Sequence, residues 1–315
     1  QFYTRSVGTN GWQPDFTTVY PESPYPYNGV FLGQEIVQGK PYYSVQALTS
    51  QSISLGGSLG TRNFQFFGWD YDEDEISTPN KYNNPTPVVF KTSDATISAV
   101  LKGHLLTNNN QTLSDGSQRK LVRTGDGIYH LIYESLSAIW YTHSLTTDFN
   151  GTWSDEMGVE LGENPSVANY GNTLKIVCEK ANPDFSAAGK IEVITISDYN
   201  NYNTWDFEEV ADYSTSYYGS AKPVITYNNT FTFIVYRKNP STGLYRLGKV
   251  SSGSWEEDVI TGTNANCFNP SVTCMASSVF LAYENFYNIY YNSAGYAGWR
   301  FNETPKRSHQ VAVIM

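Results

Sequence analysis

Basic clusters, long apolar runs and cysteines are all scarce in this chain of 315 residues, and each shortage excludes a class of function. Lysine and arginine total 20 against 30 aspartates and glutamates, so the formal net charge is −10. Nucleic-acid binding needs clustered Lys and Arg side chains, and the densest basic spot here is Lys306-Arg307. We therefore expect no nucleic-acid partner and no attraction to an anionic membrane surface.

The other shortages concern membrane insertion and disulfide chemistry. No uninterrupted apolar stretch approaches the roughly 18 residues that are needed to span a bilayer, so we expect no membrane insertion. Three cysteines cannot form a full disulfide framework, although Cys267 and Cys274 are candidates for one bridge. A chain that opens on Gln1 without a signal peptide is typical of a processed secreted protein or of an excised fragment.

What the chain does contain is a repeat that is closed by tryptophan. Trp153, Trp205, Trp255 and Trp299 follow one another at intervals of 52, 50 and 44 residues. Each closes a unit of short apolar segments, and nowhere do apolar residues hold a helical spacing long enough for a substantial helix. A strand-built unit of this length is typical of a β-propeller blade. The sequence therefore predicts an all-β fold with four to five recognisable blades and a separate small β module.

The strands of each unit can be assigned individually. In the first unit we predict strands at residues 119–123, 128–134 and 139–144, with a hairpin turn at Asp126-Gly127. The later units repeat this order at residues 164–170, 173–180 and 190–197, then 222–227, 230–238 and 244–250, and finally 269–274, 278–285 and 288–292.

The second strand of every unit ends with an aromatic or cysteine residue that is followed by a charged one. The charged residues are Glu134, Glu179, Arg237 and Glu284. Since side chains alternate between the two faces of a strand, we expect these charges to face away from the packed side. Their recurrence from unit to unit favours a role in the fold over a role in catalysis.

The turn TTDFNGTW, which ends at Trp153, resembles the Asp-box of sialidase-type propellers, also called the BNR repeat. Asp148, Thr152 and Trp153 match that motif, whereas its glycine falls one position late. The turns that end at Trp205 and Trp255 keep less of it. The resemblance covers about residues 119–300 and implies a propeller fold. In that family the Asp-box is a structural turn remote from the active site, and the family's early Arg-Ile-Pro strand is missing here, so we predict no catalytic residues.

A second resemblance covers residues 39–106. The order Phe-Gly-Trp, acidic loop, Asn-Pro-Thr and Asp-Ala-Thr-Ile resembles an internalin-type B-repeat, a small β-grasp-like module of secreted and cell-surface proteins. Residues 107–118 are polar and are predicted to form a linker. We assign residues 119–315 to the propeller repeats.

The first 38 residues resemble the last two strands of a blade. Tyr3-Thr4-Arg5-Ser6 followed by Gly11-Trp12 parallels the segment that leads to Trp153, and residues 310–315 form an apolar, strand-like end. Three hypotheses account for these ends. They pair and close a ring, which removes exposed sheet edges; they pair between subunits and form a filament; or the sequence is a piece of a longer repeat array.

An acidic run supplies the candidate metal site. Asp70, Asp72 and Asp74 place carboxylates at alternate positions, and oxygen ligands of this kind suit Ca²⁺. The EF-hand pattern fails, because its sixth position would be Glu75 instead of glycine. A solvated acidic loop is the alternative to a calcium site, and no other cofactor is predicted.

Three functions fit these observations. The first is a secreted or cell-surface, non-catalytic propeller that binds an extracellular glycan or protein through its loops, where Tyr217 and Tyr218 are candidates for stacking on sugar rings. The second is a subunit of an extracellular filament or sheath, assembled from copies of itself by strand exchange through the termini. The third is a divergent glycoside hydrolase or lyase on a propeller scaffold.

Overall fold

The structure is a computed structural model that describes most of the chain after residue 30. The described residues are 2–7, 14–15, 30–37, 40–54, 61–91, 95–107, 118–180, 189–213, 221–239, 241–250, 253–285, 288–295 and 306–307. Side chains are described from Val45 onward, apart from those of Phe90, Lys306 and Arg307. The chain forms two compact units, Gln1–Leu106 and Thr107–Met315.

The described residues of the first unit form nine strands in two antiparallel sheets. The strands are β1 (Phe2–Val7), β2 (Pro14–Asp15), β3 (Val30–Val37), β4 (Lys40–Gln46), β5 (Ser50–Ser54), β6 (Thr61–Tyr71), β7 (Ile76–Ser77), β8 (Thr86–Phe90) and β9 (Thr96–Gly103). One sheet has the order β2-β1-β9-β6-β5 and the other has the order β3-β4-β8-β7. The core of this unit contains buried residues of β6 and β9, among them Phe64, Trp69, Ile97 and Leu101.

The N-terminal strand β1 pairs with β9, with Tyr3 opposite Ala99. Residues 308–315, which carry the other half of the ring-closure and strand-exchange hypotheses, lie outside the described residues. The assignments of residues 1–38 to a blade fragment and of 39–106 to an internalin-like module stay predictions.

In the second unit, the part of the chain that is described forms fifteen strands. They are β10 (Leu121–Arg123), β11 (Tyr129–Ser135), β12 (Ala138–His143), β13 (Met157–Tyr170), β14 (Thr173–Lys180), β15 (Gly189–Ile196), β16 (Asp206–Tyr213), β17 (Val224–Tyr227), β18 (Phe231–Arg237), β19 (Leu244–Val250), β20 (Glu256–Val259), β21 (Cys267–Met275), β22 (Ser278–Asn285), β23 (Asn288–Gly295) and β24 (Lys306–Arg307). Within the described residues the only helical element is a 3-10 turn, Tyr202–Thr204.

These strands form four blades of a β-propeller, each an antiparallel sheet in which successive strands are neighbours. Blade 1 contains β10, β11, β12 and the first part of β13, and blade 2 contains the rest of β13 with β14, β15 and β16. Blade 3 is β17-β18-β19-β20, and blade 4 is β21-β22-β23-β24. The first strands lie beside one another in series, β13 next to β17 and β17 next to β21. The prediction of an all-β propeller fold is confirmed.

Among the described residues, an apolar core lies between each consecutive pair of blades and holds the two together. β14 shows how the strand period serves two of these cores, because Ile176 packs toward blade 1 and Val177 toward blade 3. Between blades 3 and 4, Phe233 and Val235 pack against Leu281 and Tyr283. Burial of each such side chain contributes about 1.5–3 kcal/mol, so these faces dominate the stability of the unit.

Two of the blades are joined by one continuous strand. β13 pairs with β12 through Met157–Leu161 and then with β14 from Gly162 onward. The sequence pattern predicts that the first strand of the second repeat begins at residue 164, and it does not reveal that this strand continues from blade 1. The backbone turns at Asn164, whose φ of 52° lies in the left-handed region, directly before Pro165.

Glutamate side chains, the glutamate caps, fasten successive blades at this turn and at its counterpart before blade 3. Glu134 of blade 1 accepts a hydrogen bond from the backbone N–H of Asn164, at 3.0 Å. Glu179 of blade 2 accepts one from the backbone N–H of Lys222, at 2.8 Å, and a second from Asn164 Nδ2, at 2.9 Å. Lys222 also has a left-handed φ, of 43°, and also precedes a proline, Pro223.

The expectation that the recurring charges face away from the packed side is wrong for Glu179, which is 0% exposed. Its carboxylate lies at a blade junction, where backbone donors replace water. The candidate bridge between Cys267 and Cys274 is not formed, since both are free thiols, and Cys178 is buried in the apolar core between blades 1 and 2. Among the described residues, no helix has the length and apolar character that a membrane span requires.

Glu179→Ala should lower the free energy of unfolding by about 3 kcal/mol, because it leaves two donors near a blade junction without their acceptor. Glu284→Ala is the matched control. Glu284 is partly exposed and accepts only one described hydrogen bond, from Asn269 Nδ2 at 3.1 Å, so its loss should cost less than about 1 kcal/mol. Urea unfolding monitored by tryptophan fluorescence measures both, and equal losses would contradict the special role of Glu179.

Candidate functional site

The antiparallel register gives the second unit two distinct ends. One carries the turns closed by Trp153, Trp205 and Trp255, and we call it the Trp end; the other carries the glutamate caps, and we call it the Glu end. At the Trp end the first turns of neighbouring blades are linked, since Gly125 N–H donates to the Gly171 carbonyl at 2.9 Å. Side chains from adjacent blades therefore meet at this end in the grooves between blades.

The predicted repeat tryptophans have different surroundings. Trp205 is buried against blade 1, where its ring meets that of Tyr141 edge to face at 5.1 Å, and its Nε1 donates to the Asp198 carbonyl. Trp255 lies at the edge of the core between blades 2 and 3. Trp153 is partly exposed and donates from Nε1 to the Phe149 carbonyl at 3.3 Å. Trp12 and Trp299 lie outside the described residues.

Asp148, the acidic residue of the Asp-box resemblance, forms a local turn. Its Oδ1 accepts from the Asn150 N–H at 3.0 Å, and its carbonyl accepts from the Gly151 N–H at 3.1 Å. Such a turn orients the chain toward Trp153. The Asp-box identification itself stays a prediction.

The groove between blades 1 and 2 is filled by the protein's own polar rings. His130 is fully buried, with Nε2 at 2.9 Å from Thr124 Oγ1 and Nδ1 at 2.8 Å from the Tyr141 hydroxyl. The Tyr199 ring lies 4.9 Å from the imidazoles of both His130 and His143. These histidines have no predicted function, and their position in neighbouring strands brings them together, with His130 opposite His143.

Burial sets the protonation of this cluster. Burial and the neighbouring His143 lower the pKa of His130 to about 4. Burial also lowers the pKa of His143. For Asp126, burial acts to raise the pKa, but hydrogen bonds from Thr124, the Ile128 N–H and Tyr199 outweigh it and lower the pKa. The cluster therefore holds neutral imidazoles beside an ionised carboxylate, and both rings have partners inside the protein.

The groove between blades 2 and 3 presents aromatic rings and charges to solvent. We define the blade 2–3 groove by six residues: Tyr170, Lys175, Glu208, Tyr227, Lys249 and Trp255. Tyr170 is exposed and meets the partly exposed Tyr227 ring edge to face, with centroids 6.4 Å apart. The two rings end the first strands of blades 2 and 3, β13 and β17, so the register of adjacent blades brings them together.

Two ammonium groups lie on the aromatic rings of this groove. Lys175 Nζ is 5.0 Å from the centroid of Tyr227, and Lys249 Nζ is 5.4 Å from the centroid of Trp255. Lys249 also binds both carboxylate oxygens of Glu208, at 2.8 and 3.0 Å. Burial and the nearby Lys249 lower the pKa of Lys175. The groove thus combines apolar ring surface with donors and an acceptor, as ligand sites in proteins do.

Sequence reasoning missed this groove. The loop aromatics that the sequence offered as candidates for sugar stacking were Tyr217 and Tyr218, which lie outside the described residues. The available signal was positional: Lys175 stands three residues before Cys178, as His130 stands three before Tyr133. In a propeller that position faces the next blade, so a charged residue there marks a polar groove.

Tyrosine–glutamate pairs recur, but with partners other than the adjacent ones seen in the sequence. The hydroxyl of Tyr133 donates to Glu156, and that of Tyr236 donates to Glu257. Both tyrosines are buried, and both glutamates stand at or near the start of a fourth strand. The recurrence in two blades favours a structural role for these pairs.

An ionic cluster lies between blades 1 and 2, toward the Glu end. Lys180 Nζ lies 3.0 Å from Glu192, 3.3 Å from Glu209 and 3.7 Å from Glu160. Glu192 is buried, and its Oε2 has no hydrogen-bond partner among the described residues. Burial and the like charge of Glu160, opposed by Lys180, raise the pKa of Glu192 to about 7.

The acidic run of the first unit forms an exposed turn after β6. Asp72 Oδ1 accepts from the Asp74 N–H at 2.9 Å, and the Asp72 carbonyl accepts from the N–H groups of Glu75 and Ile76. Asp70 is exposed within β6. In the part of the chain that is described, no three His, Cys, Asp or Glu side chains are grouped so as to hold a metal ion. The calcium site at Asp70, Asp72 and Asp74 stays a prediction.

Comparisons with known proteins return structural neighbours only. No family model and no curated protein sequence matches the chain. An Aleuria aurantia lectin mutant in complex with alpha-methyl-L-fucoside is similar at 11% identity and a TM-score of 0.43, over 98% of this chain and 94% of the lectin. An alpha-L-arabinofuranosidase from Lactobacillus brevis is similar at 10% identity and 0.42, over 62% and 73%. Trypanosoma rangeli sialidase is similar at 9% identity and 0.40, over 83% and 43%. At these values none of them assigns a site or an activity to this chain.

Replacement of His130 should remove one pH dependence of stability. The pKa of His130 is lowered from 6.5 to about 4 in the folded state. Between these two pH values the imidazole is therefore protonated in the unfolded chain and neutral in the folded chain. This group therefore stabilises the fold above about pH 6.5, and the contribution, on the order of 1–3 kcal/mol, is lost as the pH falls toward 4. The stability difference between the parent and His130→Gln, measured by urea unfolding, should shrink over this window; a constant difference would argue against a neutral buried imidazole.

Glu192→Gln should change stability in the opposite sense. The raised folded-state pKa means that the folded chain keeps a proton that the unfolded chain releases from about pH 4.5 upward, so the parent loses stability as the pH rises toward 7. The glutamine variant should lack this loss, so its free energy of unfolding should increase relative to that of the parent as the pH rises. Glu209→Gln, which removes an exposed carboxylate from the same lysine, is the control and should show no comparable gain.

Proposed function

We propose that this chain is a secreted or cell-surface, non-catalytic β-propeller that binds glycans, and that the blade 2–3 groove holds the sugar. The observation that carries the proposal is the exposed ring of Tyr170, together with the partly exposed rings of Tyr227 and Trp255, beside the Lys249–Glu208 pair. Aromatic rings offer flat apolar surface to the C–H face of a sugar, and the adjacent ions offer donors and an acceptor to its hydroxyl groups.

The state of the carboxylates supports binding over catalysis. Hydrolysis of a glycosidic bond needs two carboxyl groups that face each other across a cleft. At the Glu end, Glu134 and Glu179 are engaged with backbone N–H groups of the next blade. At the Trp end, Glu208 is engaged with Lys249 and Asp126 with Tyr199. These carboxylates position the chain, and the proposal assigns none of them a proton-transfer role.

A rigid groove also suits recognition. Its residues lie on or beside strands of two blades whose common core includes Val177, Ile225 and Ile234, all buried. Ligand binding therefore needs little ordering of the protein, which limits its entropic cost. The rigidity of the groove supports a binding site that does not rearrange when the ligand binds.

The test is a glycan array followed by calorimetry with the best-binding sugar. Tyr227→Ala and Tyr170→Ala should each weaken binding by about tenfold, since a lost aromatic stack is worth about 1.5 kcal/mol. Lys249→Met keeps much of the side-chain length and removes the charge, so it tests the polar contribution separately.

Tyr202→Ala is the matched control. Tyr202 is an exposed tyrosine at the Trp end, outside the groove, where it packs beside Trp205. Its replacement should leave the affinity unchanged. An array without binding, or equal losses in the groove variants and the control, would contradict the proposed site.

A further inference from the structure

Lys175 lies in the blade 2–3 groove without an acceptor for its ammonium group. Its side chain leaves β14 on the same side as Val177, which packs toward blade 3, so it lies between the two blades. Its Nζ is 5.0 Å from the centroid of the Tyr227 ring. Among the described residues, no oxygen accepts a hydrogen bond from this Nζ, and no carboxylate forms an ion pair with it. The N–H donors of a half-buried ammonium group are thus left to solvent or to a ligand.

Other lysines of the second unit have the partner that Lys175 lacks. Carboxylate oxygens lie 3.0 Å from Lys180 Nζ, 2.6 Å from Lys190 Nζ, 2.5 Å from Lys238 Nζ and 2.8 Å from Lys249 Nζ. A half-buried ammonium group without a paired charge costs the fold free energy. Features that cost stability without a structural benefit are typical of functional sites.

The charges that face Lys175 do not balance it. Lys175 pairs with Thr195, and Thr195 pairs with Asp206, so these three residues form one row across blade 2. Asp206 is exposed, and Glu208 is engaged through both of its carboxylate oxygens with Lys249. Burial and the like charge of Lys249 lower the pKa of Lys175, and the two carboxylates oppose this effect only in part. A bound anion would supply the missing opposite charge.

The aromatic rings of the groove bring a sugar close to this ammonium group. The ring of Tyr227 contacts both Lys175 Nζ and the exposed ring of Tyr170. A sugar that stacks on these two rings therefore has its substituents within reach of Lys175. Hydrogen bonds from an ammonium group to a carboxylate or a sulfate are about twice as strong as those between neutral groups. An anionic substituent is thus the one that Lys175 rewards most.

We propose that the blade 2–3 groove selects an anionic sugar and that Lys175 binds its carboxylate or sulfate group. This inference rests on the proposed glycan site and names the class of sugar that the site takes. The formal net charge of −10 repels polyanions in general, so the selection comes from the local contact with Lys175 and not from the overall charge. The aromatic rings supply the affinity that charged and neutral sugars share.

The experiment compares anionic ligands with neutral ones of the same skeleton. The probes are galacturonate and glucuronate oligosaccharides with their methyl esters, and sulfated oligosaccharides with their desulfated forms, first on an array and then in calorimetry with the full chain. The parent should bind the anionic member of a pair about tenfold more tightly, the size expected of one hydrogen bond to a charged group. The uronate and sulfate arms show which of the two anions the groove takes.

Replacements of Lys175 separate its charge from the rest of the groove. Lys175→Met should weaken binding of the anionic ligand by about tenfold and leave the affinity for its neutral counterpart within about twofold. Lys175→Arg keeps the positive charge and should keep the preference. Lys190→Met is the control, because Lys190 pairs with Asp212 in the same blade outside the groove. Urea unfolding verifies that each variant is folded.

The outcomes distinguish this inference from the glycan site on which it rests. Equal affinity of the parent for anionic and neutral ligands, with Tyr227→Ala still weakening both, would overturn the selection and leave the proposed function intact. An anion preference that survives Lys175→Met, or that Lys190→Met removes as well, would overturn the role of Lys175. An array without any glycan binding would contradict the proposed function and this inference together.

Discussion

A sheet that is apolar on both faces cannot be stable alone in water, and this constraint governs the second unit. Neighbouring residues of β14, Ile176 and Val177, point to opposite sides, and both are fully buried. Each blade therefore needs a neighbour on either side, and stability is shared between blades. The glutamate caps at Asn164 and Lys222 belong to the same constraint, because they fix the turn at which one blade gives way to the next.

In the second strand of each blade, one position faces the following blade, and its side-chain chemistry differs from blade to blade. It is occupied by His130, Lys175, Phe233 and Phe280 in blades 1 to 4. The phenylalanine between blades 3 and 4 gives an apolar junction, and the histidine between blades 1 and 2 gives a polar junction whose rings have internal partners. The lysine between blades 2 and 3 cannot be buried without cost, so that junction remains open to solvent at the Trp end.

The sequence alone predicts the local structure well and the contacts between blades poorly. The predicted strands at 173–180 and 244–250 coincide with β14 and β19, because alternation and turn residues act within a few positions. The burial of Glu179 was not predictable from such signals, since its partner Lys222 is 43 residues away and donates only because its backbone adopts a left-handed φ. For the same reason the pairing of Tyr170 with Tyr227 could not be read from the order of residues.

Two buried groups in the junction between blades 1 and 2 affect the pH dependence of stability in opposite directions. His130 and Glu192 both lie between blades 1 and 2, and both are buried. His130, with a pKa lowered to about 4, favours the folded state more as the pH rises; Glu192, with a pKa raised to about 7, favours it less. Because the two windows overlap, the gain at one group offsets the loss at the other. The junction therefore tolerates both buried groups with a flatter pH dependence than either would impose alone.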